Sequence, residues 1–227
     1  MHTPCVDDCH GYCCRVPTVF PDDGPGVGMG SRLVAVRAVY RRWLRLYGLV
    51  AALILGASTV VGFLLGSAVP IGALPAEGGG TGPFPALTTV DLAVNNLVAM
   101  VALSLGAVSL GLVTVLGLVL NGLLIGAVVG IAVQQADPLV VAMLIVPHGV
   151  LEIPALLAAS AVGLRFGRLT VRYIRGREET LVTRRDLREA GWLLACSALL
   201  IVVAAYVEAN LTLELAEAVA GEELVAA

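Results

Sequence analysis

The chain has 227 residues, of which 58% are apolar and only 14% charged, and its mean hydropathy is +0.92. Soluble domains carry about 25% charged residues, so the composition excludes an ordinary soluble domain and points to an integral membrane protein. The formal net charge of −3 decides little, because in such a chain the position of a charge matters more than the sum.

Residues 1–31 hold Cys5, Cys9, Cys13 and Cys14, with His2 and His10 among them. Their spacing fits no standard zinc pattern, and residues 21–28, rich in Pro, Gly and Asp, read as a linker. The segment is expected to be a disordered leader, with Met29 an alternative start; no metal or other cofactor is expected. Cys196 falls in an apolar run and reads as a small core residue.

A membrane domain is expected over 32–213. Its first stretch sets Arg32, Arg37, Arg41, Arg42 and Arg45 around Tyr40, Trp43 and Tyr47, which reads as an anchor at the headgroup level. Because this stretch leads straight into apolar sequence, nucleic acid is not the expected partner. The first span covers about 48–69 and ends at Pro70; its Gly62 and Gly66 allow close helix packing. A loop rich in Gly and Pro follows to Asp91.

Leu92–Val133 carries no charge. As one helix it would reach about 63 Å, twice the hydrocarbon thickness of about 30 Å, so two spans are predicted, about 92–108 and 112–133. Gly122, Gly126 and Gly130 recur every four residues on the second, a smooth face for a neighbour. A fourth span covers about 139–163, and a fifth about 191–213. Between them lies a basic loop, 164–190, in which Arg165, Arg168, Arg172 and Arg175 recur at helical spacing. This spacing suggests a helix lying on anionic headgroups. An acidic tail, 214–227, closes the chain. With the N-terminus inside, both arginine clusters fall in the cytoplasm, and only Arg15 is left in the leader. The expected topology is therefore an all-α bundle of about five spans, N-in and C-out, in a cell membrane.

The polar residues in these spans carry the functional question. Pro147 and Pro154 remove N–H donors and predict kinks in the fourth span, bracketing His148 and Glu152, which are four apart and share a helix face. His148 lies about 13 Å and Glu152 about 19 Å from the outer end of that helix. Asn95, Asn96 and Glu208 lie within about two turns of the outer ends of theirs. Asn121 is near mid-membrane. Three readings compete. In the first, these groups bind one another and hold the bundle, with Glu152 neutral or paired with His148; Glu152→Gln then lowers stability. In the second, they line a path for a proton, ion or small solute. In the third, weakest for want of an HExxH motif, His148, Glu152 and Glu208 hold a catalytic metal. No nucleotide-binding or nucleophile motif is present, and no soluble segment is long enough to fold a catalytic core. An enzyme is therefore not the expectation.

Four strings, Asn95-Asn96-Leu97, Asn121 to Gly126, Pro147-His148-Gly149-Val150-Leu151-Glu152-Ile153-Pro154-Ala155 and Tyr206-Val207-Glu208-Ala209, resemble in order and spacing the stage II sporulation protein M family, over roughly 45–213. That resemblance implies a multi-span membrane protein of bacteria and archaea acting as a scaffold in a larger complex. It also implies that Asn95, Asn96, Asn121, His148, Glu152 and Glu208 matter. The expected partners are membrane lipids and either other membrane proteins or further copies of the chain.

Overall fold

Long runs of Leu, Val, Ala and Ile have one way to satisfy their backbone in hydrocarbon without pairing to another chain, the helix. A computed structural model describes residues 37–70 and 89–212, and no strand occurs among them. The expected leader, most of the first loop and the acidic tail lie outside the described residues. Residues 1–42 form one unit and 43–227 another; of the first, residues 37–42 are described and helical.

A π-helical stretch, Tyr40–Gly48, leads into α1, Leu49–Ser67, which stops ahead of Pro70. Next, α2 runs Thr89–Ser104 and tightens into a 3-10 turn, Leu105–Ala107. The chain reverses through Leu110 and Gly111, both at positive φ (54° and 88°). Glycine takes this conformation freely, whereas leucine is strained there by about 1–2 kcal/mol. α3 follows as Leu112–Ala132.

α4, Pro138–Ile174, starts with Pro138 at its first position, where no N–H is missed, and Asp137 caps it by accepting from the Leu139 N–H at 2.7 Å. It ends at Gly176 (φ 65°), with the N–H groups of Gly176 and Arg177 bonded to the carbonyls of Tyr173 and Arg172, both at 2.9 Å, a Schellman closure. α5, Arg184–Val207, opens on a capping box between Thr183 and Asp186 and passes into a π-helical turn, Glu208–Thr212. Among the described residues, five helices are thus long and apolar enough to cross a membrane.

Two packing themes hold the unit together. α1 packs most extensively on α3, and the glycines lie in that interface. A Cβ at Gly62 or Gly66 would fall on the carbonyl of Leu123 or Ala127; one at Gly126 or Gly130 would fall on the carbonyl of Thr59 or Phe63; one at Gly122 would strike the Ser58 hydroxyl. The two backbones therefore touch directly, and Gln134 Nε2 donates across to the Gly66 carbonyl at 3.0 Å. In the second theme, α4 packs on α5 with α2 against both, and the turn between α2 and α3 sits on α4. Gly106 faces Gly163, Gly111 faces Gly167, and Thr170 Oγ1 donates to the Ala107 carbonyl at 3.0 Å. All five helices contribute to one core, including Leu55, Met100, Leu103, Leu118, Leu156 and Ile201.

The structure departs from the sequence reading in three places. The fourth helix does not stop at 163 but continues to Ile174, so the expected leaflet-bound helix is its extension; Gly167, the weak point, is held by its contact with Gly111. Cys196, expected as a small core residue, is exposed. Trp43 is not a headgroup anchor: it is fully buried.

Candidate functional site

Helices that alternate in direction leave the bundle with two ends, and each gathers polar residues. At the end where α2 begins and α5 finishes, α4 presents His148 and, one turn on, Glu152, both half-buried. The turn carrying Glu208 packs against α4, and the Glu208 carboxylate is close enough to act electrostatically on that of Glu152. His148 Nδ1 is shut off from solvent and has no hydrogen-bond partner among the described residues. On α2, Asn95 donates to Asn96 at 3.3 Å; on α3, Asn121 donates to the Gly117 carbonyl of its own helix at 2.8 Å.

Glu152 and Glu208 therefore lie at the same end of the bundle, within electrostatic reach of each other, with His148 one turn from Glu152, while Asn121 is engaged with its own backbone. The mutual bonding expected between His148 and Glu152 is not found: no hydrogen bond or ion pair joins them among the described residues. Nor, among the described residues, do three His, Cys, Asp or Glu side chains converge there as metal ligands, so these residues do not supply the hydrolase geometry.

The opposite end holds a network that the sequence reading missed. The indole N–H of Trp43 donates to Glu189 Oε2 at 2.7 Å, and Arg185 Nε donates to Glu189 Oε1 at 2.7 Å. The Arg165 guanidinium lies 4.6 Å from the centre of the Trp43 ring and pairs with Asp186 Oδ1 at 3.0 Å. Phe166 meets the same indole edge-on at 5.5 Å. Two cations and two anions are matched around one aromatic ring, tying the entry to α1, the middle of α4 and the first turns of α5. Buried charge is tolerable only with such pairing. The available signal was Asp186 and Glu189, three apart among arginines, with Arg185 and Glu189 at i,i+4.

The four arginines assigned to headgroups therefore divide. Arg165 turns inward, because its charge is taken up by Asp186 and the Trp43 ring. Arg172 pairs with Glu178 at 2.8 Å. Arg168, exposed, donates to the Tyr47 hydroxyl at 3.4 Å, and Arg175 is exposed.

Comparison with known proteins matches residues 51–213 to a family model described as Stage II sporulation protein M. An uncharacterised protein of Methanocaldococcus jannaschii is 31% identical over 134 residues, covering 59% of this chain and 72% of that protein. No solved structure matches. The matched stretch contains the interlocking glycines, His148, Glu152 and Glu208, and leaves Trp43 outside it.

Proposed function

The chain belongs to the stage II sporulation protein M family, and from that premise we propose that it is a membrane-embedded scaffold, N-in and C-out, that holds partner proteins in a larger assembly. One observation carries this reading: the helices are interlocked backbone to backbone through glycine, α1 on α3 and the α2–α3 turn on α4. Packed cores and interfaces do not deform continuously, and helices joined this way resist the rocking of halves that alternating access requires. The topology rests on the arginines, which gather at the Trp43 end.

A second reading has its own support. Glu152 and Glu208 are within electrostatic range, no ion pair among the described residues includes Glu152, and His148 Nδ1 is unbonded among the described residues. A proton or small cation held there would relieve the repulsion, as in a carrier or channel subunit. The two readings separate in vesicles containing a pH-reporting dye. The scaffold reading expects no proton flux that depends on Glu152, together with a larger native complex on extraction in mild detergent. Flux in the wild type that vanishes in Glu152→Gln overturns it.

A further inference from the structure

The basic loop becomes informative once its charges are sorted by where they face. Among residues 164–190, Asp186 and Glu189 are buried in the Trp43 network and Glu178 is paired with Arg172. The exposed arginines outside these pairs are then Arg168, Arg175, Arg177 and Arg184, with Glu179 exposed among them and Glu178 partly exposed in its pair with Arg172. Two of the four acids of this loop, Asp186 and Glu189, have been drawn inward, and the surface left behind carries more arginine than acid.

That surface is also raised. The extension of α4 from Leu164 to Ile174 is continuous helix and rises about 15 Å at helical pitch, or about 14 Å with a tilt of ~20°. A headgroup layer is about 6 Å deep, so with Leu164 at the hydrocarbon edge the tip stands clear of the headgroups in water. At the tip, Tyr173 is 47% and Ile174 67% exposed, next in the chain to Arg175 and Arg177. A basic helix lying on the leaflet would bury such apolar side chains in lipid; an upright one cannot.

We propose that this tip, Tyr173 and Ile174 flanked by Arg175 and Arg177, is a docking surface for an acidic, apolar segment of a water-soluble partner protein. Charge complementarity selects an acidic occupant, and the apolar patch selects a protein segment rather than a free anion. The inference names what the scaffold holds, and in that respect it rests on the scaffold reading.

The test uses the full chain in phosphatidylcholine nanodiscs and a labelled amphipathic peptide with one face of Glu and one of Leu, followed by fluorescence anisotropy after subtraction of binding to empty discs. Binding is expected to be salt-sensitive and to weaken about tenfold in R175E/R177E, the sum of two exposed charge pairs. It is also expected to weaken in Y173S/I174S and to be unchanged in R45E. Equal binding by R175E/R177E overturns the proposal. So does quenching of a fluorophore at position 173 by lipid-borne nitroxide, which would place the tip on the membrane, or cross-linking at 173 to a second copy of the chain. Failure here leaves the flux assay untouched, and flux dependent on Glu152 leaves peptide binding untouched, so the two ideas fail separately.

Discussion

Replacing Trp43 with phenylalanine isolates the contribution of one hydrogen bond to the bundle. Phenylalanine keeps a ring against Phe166 and near the Arg165 guanidinium, but it has no N–H to offer Glu189 Oε2 at 2.7 Å. Glu189 is 3% exposed, so water has little access to replace the donor, although Arg185 still holds the other oxygen. A hydrogen bond to a charged group contributes about 1.5–3 kcal/mol, and the smaller ring weakens the cation–π contact by up to about 1 kcal/mol. The expected loss is therefore about 2–4 kcal/mol. In an E189Q background the same change removes a weaker bond and should destabilise less, leaving a coupling of about 1 kcal/mol or more. Reversible unfolding in mixed micelles, or steric trapping in bicelles, measures both. A W43F loss below about 0.5 kcal/mol, additive with E189Q, would refute the assigned role of the indole.

Other substitutions test the packing with opposite signs. Gly126→Ala drives a Cβ into the backbone at Thr59 and Phe63 and should lower the thermal midpoint, at about 1–3 kcal/mol. Gly56→Ala, in a helix with nothing near the new atom, should raise stability by about 0.5–1 kcal/mol. Asp137→Ala removes the cap on α4 and should cost about 0.5–2 kcal/mol by the same melt. In a W192F variant the remaining emission comes from Trp43, fully buried, and should resist quenching; in W43F the remaining Trp192, half-exposed on a spanning helix, should be quenched by lipid-borne nitroxide. Cysteines at 136 and 176 should label from opposite sides of intact cells or vesicles, with 176 inside; labelling of both from one side would sink the topology.

The sequence made the helices legible for a physical reason: lipid allows an uncharged run few other conformations, and length alone splits Leu92–Val133. Gly122, Gly126 and Gly130 announce a smooth face by their period, but not that α1 would lie on it. What stayed hidden depends on which side of a helix faces a neighbour. Trp43 and Arg165 have the composition of headgroup residues, and only the approach of α5 with Asp186 and Glu189 turns them inward. The converse holds for His148 and Glu152: spacing placed them on one face, but whether they bond to each other depends on side-chain geometry, and they do not.

That result reverses one expectation about Glu152. An architectural carboxylate loses stability when changed to glutamine, because its donors lose a charged acceptor. Among the described residues Glu152 has no such donor, and its electrostatic neighbour is another carboxylate, Glu208. Glu152→Gln removes any ionised form of this carboxyl group, which Glu208 disfavours, while keeping the shape of the side chain. The midpoint should then stay level or rise, by on the order of 1 kcal/mol, the scale of a like-charge pair in a partly shielded site. If the midpoint falls by more than about 1 kcal/mol, Glu152 has a protein partner and belongs to the architecture after all. If it holds or rises, the carboxylate is retained at the expense of stability, and the Glu208 end is where a ligand or a proton should be sought.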